Sequence, residues 1–360
     1  IDLLILPPLR FSGIIFQVEM RVWYNVVIAL LRQAMWLVAV VLLAFHNAAF
    51  YKVIIARTLV GVLEAVIVVW NVRRVGLVQG KARFIASEAL TLVKEGLPLV
   101  LTTVAISIYH RIDQVMLHKM SGDQILGPYV IAVQLTELFS ALPVALMTSL
   151  FPALAQSASD DAKFSRYLGE TYRFLMIIAF AACAMITPIA APVIELFYGT
   201  QYLPTASLLI VLIWSEVPVF FGVALGNALV AKGLQRYTPY GAVAGAIVNV
   251  LLNLILIPRY GALGASWATV ISYSVAGIFF LLFISKIRPL AVLGMRISFW
   301  PFVLAVAITW GLHFVFVAFW WKLMLAGLAF AAGSWLTGSF DKQDIERVRQ
   351  MMRSSRQAVT

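Results

Sequence analysis

The residues of this 360-residue sequence that could do chemistry are a few ionisable side chains set inside long apolar runs. Such groups are expensive in apolar surroundings and mark either a polar path or an ion pair. Arg32 lies about nine residues into the run 23–45, roughly 13 Å deep as a helix and too deep for easy snorkelling. Arg57 and Glu64 share the next run seven residues apart, about two helical turns, so both project from one face. Together these runs are expected to present two cations and one carboxylate to an interior cavity. The densest polar cluster is Tyr109-His110-Arg111-Ile112-Asp113-Gln114. Arg111 and Asp113, two apart, point to nearly opposite faces and are not expected to pair, whereas His110 and Asp113, three apart, can meet. Arg111 then reads as a cation at a cavity mouth and Asp113 as a structural carboxylate. The plainer reading is that both anchor a helix end. Glu137 and Glu216 sit well inside their runs as protonated or hydrogen-bonded acids, and Glu195, near a run's end, reads as an interface anchor.

The pattern excludes several chemistries. It contains no nucleophile–base constellation, no metal-ligand spacing and no phosphate-cradling glycine loop. The single cysteine, Cys183, permits neither an internal disulfide nor a cysteine-based metal site. His46, His110, His118 and His313 are isolated. No catalytic group, metal or cofactor is implied.

The elements that must position these charges are membrane helices. Hydrophobic residues make up 62% of the chain and charged residues 12%, against about 25% charged in soluble domains. The mean hydropathy is +0.95. This much apolar surface needs an apolar solvent. The net charge of +11 is spread between apolar runs, which argues against a nucleic-acid partner. A hydrocarbon core of about 30 Å takes about 20 helical residues. Stretches that qualify run over 23–45, 50–70, 97–117, 126–151, 172–197, 205–231, 239–257, 262–284, 297–318 and 320–338. They predict an all-α integral membrane protein, a polytopic bundle of about ten spans, with longer breaks at 71–96 and 152–171. Of the 27 lysines and arginines, twenty fall on one set of alternate loops, four (Lys52, Lys119, Arg259, Lys322) on the other, and Arg32, Arg57 and Arg111 inside spans. The positive-inside rule therefore puts the loop 71–96 and the C-terminus in the cytoplasm. Pro143, Pro188, Pro192 and Pro218 interrupt spans, as ordinary packing or as hinges for alternating access. Gly222/Gly226 and Gly241/Gly245 mark close helix approach. Asn249 and Asn253, four apart, are expected to hydrogen-bond between helices. The outer loops, such as 118–125 and 198–204, are short, which favours transport over catalysis.

Several motifs, in order, carry a family resemblance. Arg111-Ile112-Asp113-Gln114-Val115-Met116-Leu117 is followed by Gly127-Pro128-Tyr129 and Ala132, then by Glu137, Pro143 and Phe151-Pro152-Ala153-Leu154-Ala155. Phe197-Tyr198-Gly199 and the stretch from Asn253 through Pro258-Arg259-Tyr260-Gly261 to Thr269 continue it, as do Pro7-Pro8-Leu9-Arg10 and Phe16-Gln17. Over nearly its whole length the chain resembles Wzx-type oligosaccharide flippases, of the multidrug/oligosaccharidyl-lipid/polysaccharide (MOP) exporter superfamily. The resemblance implies a two-lobed, MOP/MATE-like architecture. Residues 1–96 would be the C-terminal part of the first lobe, 97–284 a six-helix second lobe, 285–340 two extra helices and 341–360 a charged cytoplasmic tail. The opening Leu3-Leu4-Ile5-Leu6-Pro7-Pro8 reads as the tail of a helix already in progress, so roughly four N-terminal helices are expected to be missing.

The resemblance further implies flipping of an undecaprenyl-pyrophosphate-linked oligosaccharide, an O-antigen or exopolysaccharide repeat unit, across the bacterial inner membrane. A pyrophosphate cannot cross hydrocarbon unless cations and donors replace its hydration. Arg32, Arg57, Glu64, Arg111, Asp113 and Glu137 are the expected cavity residues. Implied partners are the lipid-linked oligosaccharide, membrane lipids, and polysaccharide polymerase and chain-length proteins. The competing readings are a multidrug/cation antiporter, which the arginines disfavour, a lipid II flippase, and a membrane glycosyltransferase or polymerase.

Overall fold

The computed structural model describes residues 23–46, 50–74, 86–315 and 318–339. The N-terminal motifs Pro7-Pro8-Leu9-Arg10 and Phe16-Gln17, Lys81 and Arg83, and the charged tail lie outside the described residues. Among the described residues the ordered elements are all helical. They are α1 (Trp23–Phe45), α2 (Phe50–Arg74), α3 (Ala86–Ser121), α4 (Asp123–Gln156), α5 (Asp161–Ile186), α6 (Ala190–Tyr198), α7 (Pro204–Leu212), α8 (Glu216–Ala231), α9 (Thr238–Ser274), α10 (Arg288–His313) and α11 (Phe319–Leu336).

Seven helical stretches among the described residues are long and apolar enough to cross a bilayer, fewer than the ten expected. The expected spans 50–70 and 97–117 are helical, as α2 and α3, but part of each lies outside the residues whose side chains are described, and neither is counted among the seven. The expected spans 239–257 and 262–284 fall in one 49-residue stretch, Gln235–Phe283. Extended as one helix it would be roughly 70 Å long, more than twice the hydrocarbon thickness. Instead it doubles back at Gly261, whose φ of 56° and ψ of −132° are open only to glycine. Asn249 Nδ2 donates to Ser272 Oγ at 2.9 Å, and Gly245 lies against Ala276. The arms of α9 are therefore antiparallel, and the two-span reading of this segment holds.

Helix ends also differ from the hydropathy breaks. Residues 86–96 begin α3 although they were expected in the cytoplasmic break 71–96, α4 and α5 reduce the break 152–171 to residues 157–160, and α10 starts at Arg288, nine residues before the expected span. Polar, charged residues there are good helix formers, so the backbone bonds continue past the point where the sequence stops being apolar. Thr187–Ile189 forms a 3-10 turn at Pro188, and Ile213–Ser215 another just before Pro218. Proline accounts for these two breaks, whereas Pro143 and Pro192, also expected to interrupt spans, lie inside α4 and α6 with the helix continuing past them.

The chain divides into a unit of residues 1–89 and a unit of residues 90–360. In the first, α1 packs on α2. Arg32 faces Glu64 and Trp36 faces Arg57, so the two helices are antiparallel. In the second, Gly122 at φ 80° turns α3 into α4. α8 packs on α4 and α5, and α10 and α11 pack on α5. The core here is aromatic and aliphatic: Phe164, Leu168, Tyr172, Leu175, Phe180, Phe220 and Phe221 are all buried.

Candidate functional site

Asp113 anchors the polar centre of the second unit. It sits on α3 at 2% exposure, and its carboxyl is satisfied from three sides. The Tyr129 hydroxyl of α4 donates to Oδ2 at 2.5 Å, the Gln114 N–H to Oδ1 at 2.7 Å, and the Thr269 hydroxyl of α9 lies 3.3 Å from Oδ2. This one side chain ties together α3, α4 and the second arm of α9. Asp113 thus bridges three helices, and it meets Tyr129 where the spacing had allowed His110. His110 instead faces Tyr273, with Nδ1 3.0 Å from the tyrosine hydroxyl. Arg111, two residues from Asp113, points elsewhere, as the helical spacing requires. Its Nη2 is 3.4 Å from both carboxylate oxygens of Glu137 on α4.

Beside this centre lies a small cleft of about 20 Å³, lined by His110, Asp113, Thr136, Glu137, Ser140, Ser215, Glu216, Thr269 and Tyr273 among others. Glu216 is 2% exposed, and the Ser140 hydroxyl lies 2.8 and 3.0 Å from its two oxygens. The position of Glu216 follows from the break before it. The 3-10 turn Ile213–Ser215 opens α8, so Glu216 stands at that helix's first position, facing α4.

The remaining expected site residues lie in the first unit. Arg32 Nε is 3.6 Å from Glu64 Oε1. The Arg57 guanidinium stands over the Trp36 ring at 5.7 Å from its centroid, a cation–π contact. Arg32 and Trp36 are one turn apart on α1, so Arg57 and Glu64 do share a face of α2, the one toward α1. The charged residues are legible in the sequence, whereas their hydroxyl partners Tyr129, Ser140 and Thr269 are brought to them by the fold. Tyr129 and Thr269 lie inside the family motifs; nothing in the spacing marks Ser140.

Two pairs of helices thus each hold an arginine against a glutamate, and a small polar cleft lies among the helices of the second unit. The model of one family, described as polysaccharide biosynthesis protein, matches residues 6–207. The chain belongs to that family. Its relatives include flippases. The lipid II flippase MurJ of Bacillus subtilis (strain 168) is 26% identical over 190 residues, 49% of this chain and 35% of that protein. The probable low-salt glycan biosynthesis flippase Agl15 of Haloferax volcanii is 22% identical over 151 residues, 41% of this chain and 32% of that one. The alignments thus span about a third of these relatives' length. Among solved structures, lipid II flippase MurJ in its inward closed conformation superposes with a TM-score of 0.71 at 17% identity, covering 91% of this chain and 70% of that one. The chain therefore has the fold of that solved structure, and its seven long apolar helices make it a multi-pass membrane protein.

Proposed function

We propose that this chain serves a flippase that moves an undecaprenyl-pyrophosphate-linked oligosaccharide from the cytoplasmic to the outer leaflet of the bacterial inner membrane, without catalysing a covalent step. What carries this reading is the set of arginines set within long helices of apolar sequence, Arg32 and Arg57 in the first unit and Arg111 in the second. Each is only partly sequestered by its neighbours, Glu64, Trp36 and Glu137. Guanidinium groups match phosphate oxygens in charge and fork geometry. They can replace the hydration a pyrophosphate loses, while the polyprenyl tail stays in lipid. The family match and the flippases among the relatives support the same reading. Residues 1–96 then complete a first lobe, 97–284 form the second, 285–340 are the extra helices, and the C-terminus is cytoplasmic. The breaks at Thr187–Ile189 and Ile213–Ser215 are suited to alternating access. Glu64, Asp113 and Glu137 hold the arginines and the helices in place. Polymerase and chain-length proteins of polysaccharide assembly are the expected partners.

Neutralising Arg32 or Arg57 to glutamine in the full-length protein should abolish surface polysaccharide and leave lipid-linked repeat units in the inner leaflet. Surface polysaccharide at wild-type level would overturn the assignment. A second reading, lipid II as cargo, is favoured by the similarity to MurJ. The two cargoes share a polyprenyl diphosphate and differ in sugar. Loss of peptidoglycan precursor export, rather than surface polysaccharide, in a depletion strain would select the second.

A further inference from the structure

Each unit holds its arginine in a loose ion pair. Arg32 Nε stands 3.6 Å from Glu64 Oε1, and Arg111 Nη2 stands 3.4 Å from Glu137 Oε1. Tight charge-assisted bonds are about 2.7–2.9 Å long, and Lys232 reaches Asp161 at 2.6 Å elsewhere in this molecule. Glu137 straddles one nitrogen of Arg111, with both oxygens at 3.4 Å, and leaves the guanidinium fork disengaged. The Arg111 side chain is 59% exposed. Arg32 Nε finds no hydrogen-bond acceptor within range among the described residues. Arg32 is therefore neutralised with its Nε left without an acceptor, and Arg111 through a single nitrogen at the long end of hydrogen-bond range.

We propose that Glu64 and Glu137 are internal stand-ins for an oxyanion of the phosphate class: they neutralise Arg32 and Arg111 when the protein is empty and give way when that oxyanion arrives. The inference rests on the reading above that these arginines hold the cargo's diphosphate. An arginine at bilayer depth with no counter-charge would be costly, so an empty transporter needs a carboxylate nearby. A carboxylate in good bidentate geometry would compete too well. A carboxylate at 3.4–3.6 Å offsets the charge and yields to a group that engages the fork with more charge and more acceptors. The same competition helps release, because the glutamate is at hand to reclaim the arginine as the oxyanion leaves.

The test is equilibrium binding to the chain reconstituted in lipid nanodiscs, with inorganic pyrophosphate and with a polyprenyl diphosphate as separate probes. Glu64→Gln and Glu137→Gln should each tighten binding about two- to fivefold, the range set by a partly exposed ion pair. Glu137→Asp, which keeps the charge, should bind like wild type, and adding Arg111→Gln to Glu137→Gln should erase the gain. Tightening with both probes assigns recognition to the diphosphate itself; tightening with the lipid probe alone assigns it to the lipid head group. Unchanged or weaker binding by both glutamine variants, while Arg32→Gln and Arg111→Gln still weaken it, overturns the stand-in role and leaves the flippase reading intact. Arginine variants that bind as well as wild type overturn that reading itself, because the arginines then do not hold the cargo.

Discussion

Tyr129 and Tyr172 are both fully buried in the second unit, and they carry opposite consequences. Tyr129 donates to Asp113. The hydroxyl of Tyr172, packed with its ring 4.8 Å from that of Phe221, has no hydrogen-bond partner among the described residues. Burying an unsatisfied hydroxyl is costly, and removing it is neutral or better. Tyr172→Phe should therefore unfold thermally at or above the wild-type temperature. Asp113→Ala should cost about 1–3 kcal/mol, because it strands the Tyr129 hydroxyl and removes the tie between three helices. Thermal unfolding of the purified proteins in detergent separates the two. If Asp113→Ala melted like wild type, Asp113 would not be the tie between those helices.

The α9 hairpin shows how helices depend on single small residues. Gly261 takes the φ that reverses the chain, and a Cβ on Gly264 would collide with the Leu256 carbonyl across the turn. The two arms then stay close enough for Asn249 Nδ2 to donate to Ser272 Oγ at 2.9 Å, while Asn253, expected to bond between helices, donates to Asn249 Oδ1 at 3.0 Å within the first arm. Gly264→Ala must push backbone away from backbone, so it should cost about 3 kcal/mol or more, the upper end of overpacking. Gly226, in the Gly222/Gly226 pair of α8, has nothing within 4 Å of where a methyl group would sit. Gly226→Ala should be neutral or slightly stabilising, since alanine also favours the helix. Equal stability of the two variants would contradict the hairpin's close approach.

At the scale of the whole molecule, the basic residues predict which ends of the helices face the cytoplasm. Cys183 makes this straightforward to check. It is the one cysteine of the sequence, fully buried, with its Sγ directed to the Ile213 carbonyl at 3.4 Å, so it gives no labelling background. Ser159→Cys and Gln235→Cys lie at exposed positions on the side expected to be cytoplasmic, and Asp123→Cys and Gln201→Cys at exposed positions on the other. A membrane-impermeant maleimide on intact spheroplasts should label only the second pair. Labelling of the first pair instead would invert the topology.

The sequence by itself determined that this chain lives in a bilayer, where its apolar helices run, and which charges violate the rule. Those properties are local: a run of twenty apolar residues is apolar whatever surrounds it, and Arg111 and Asp113 must diverge because helical geometry separates positions two apart. It determined helix ends less well, because residues such as those at 86–96 are polar and helical at once, so hydropathy stops where the hydrogen bonds do not. The partners of the charges were decided only by tertiary structure. Glu137 meeting Arg111, Ser140 meeting Glu216, and Tyr129 meeting Asp113 depend on the rotation and depth of one helix against another. That registry is set by packing across 16 to 76 residues of chain, and no spacing within a single helix encodes it.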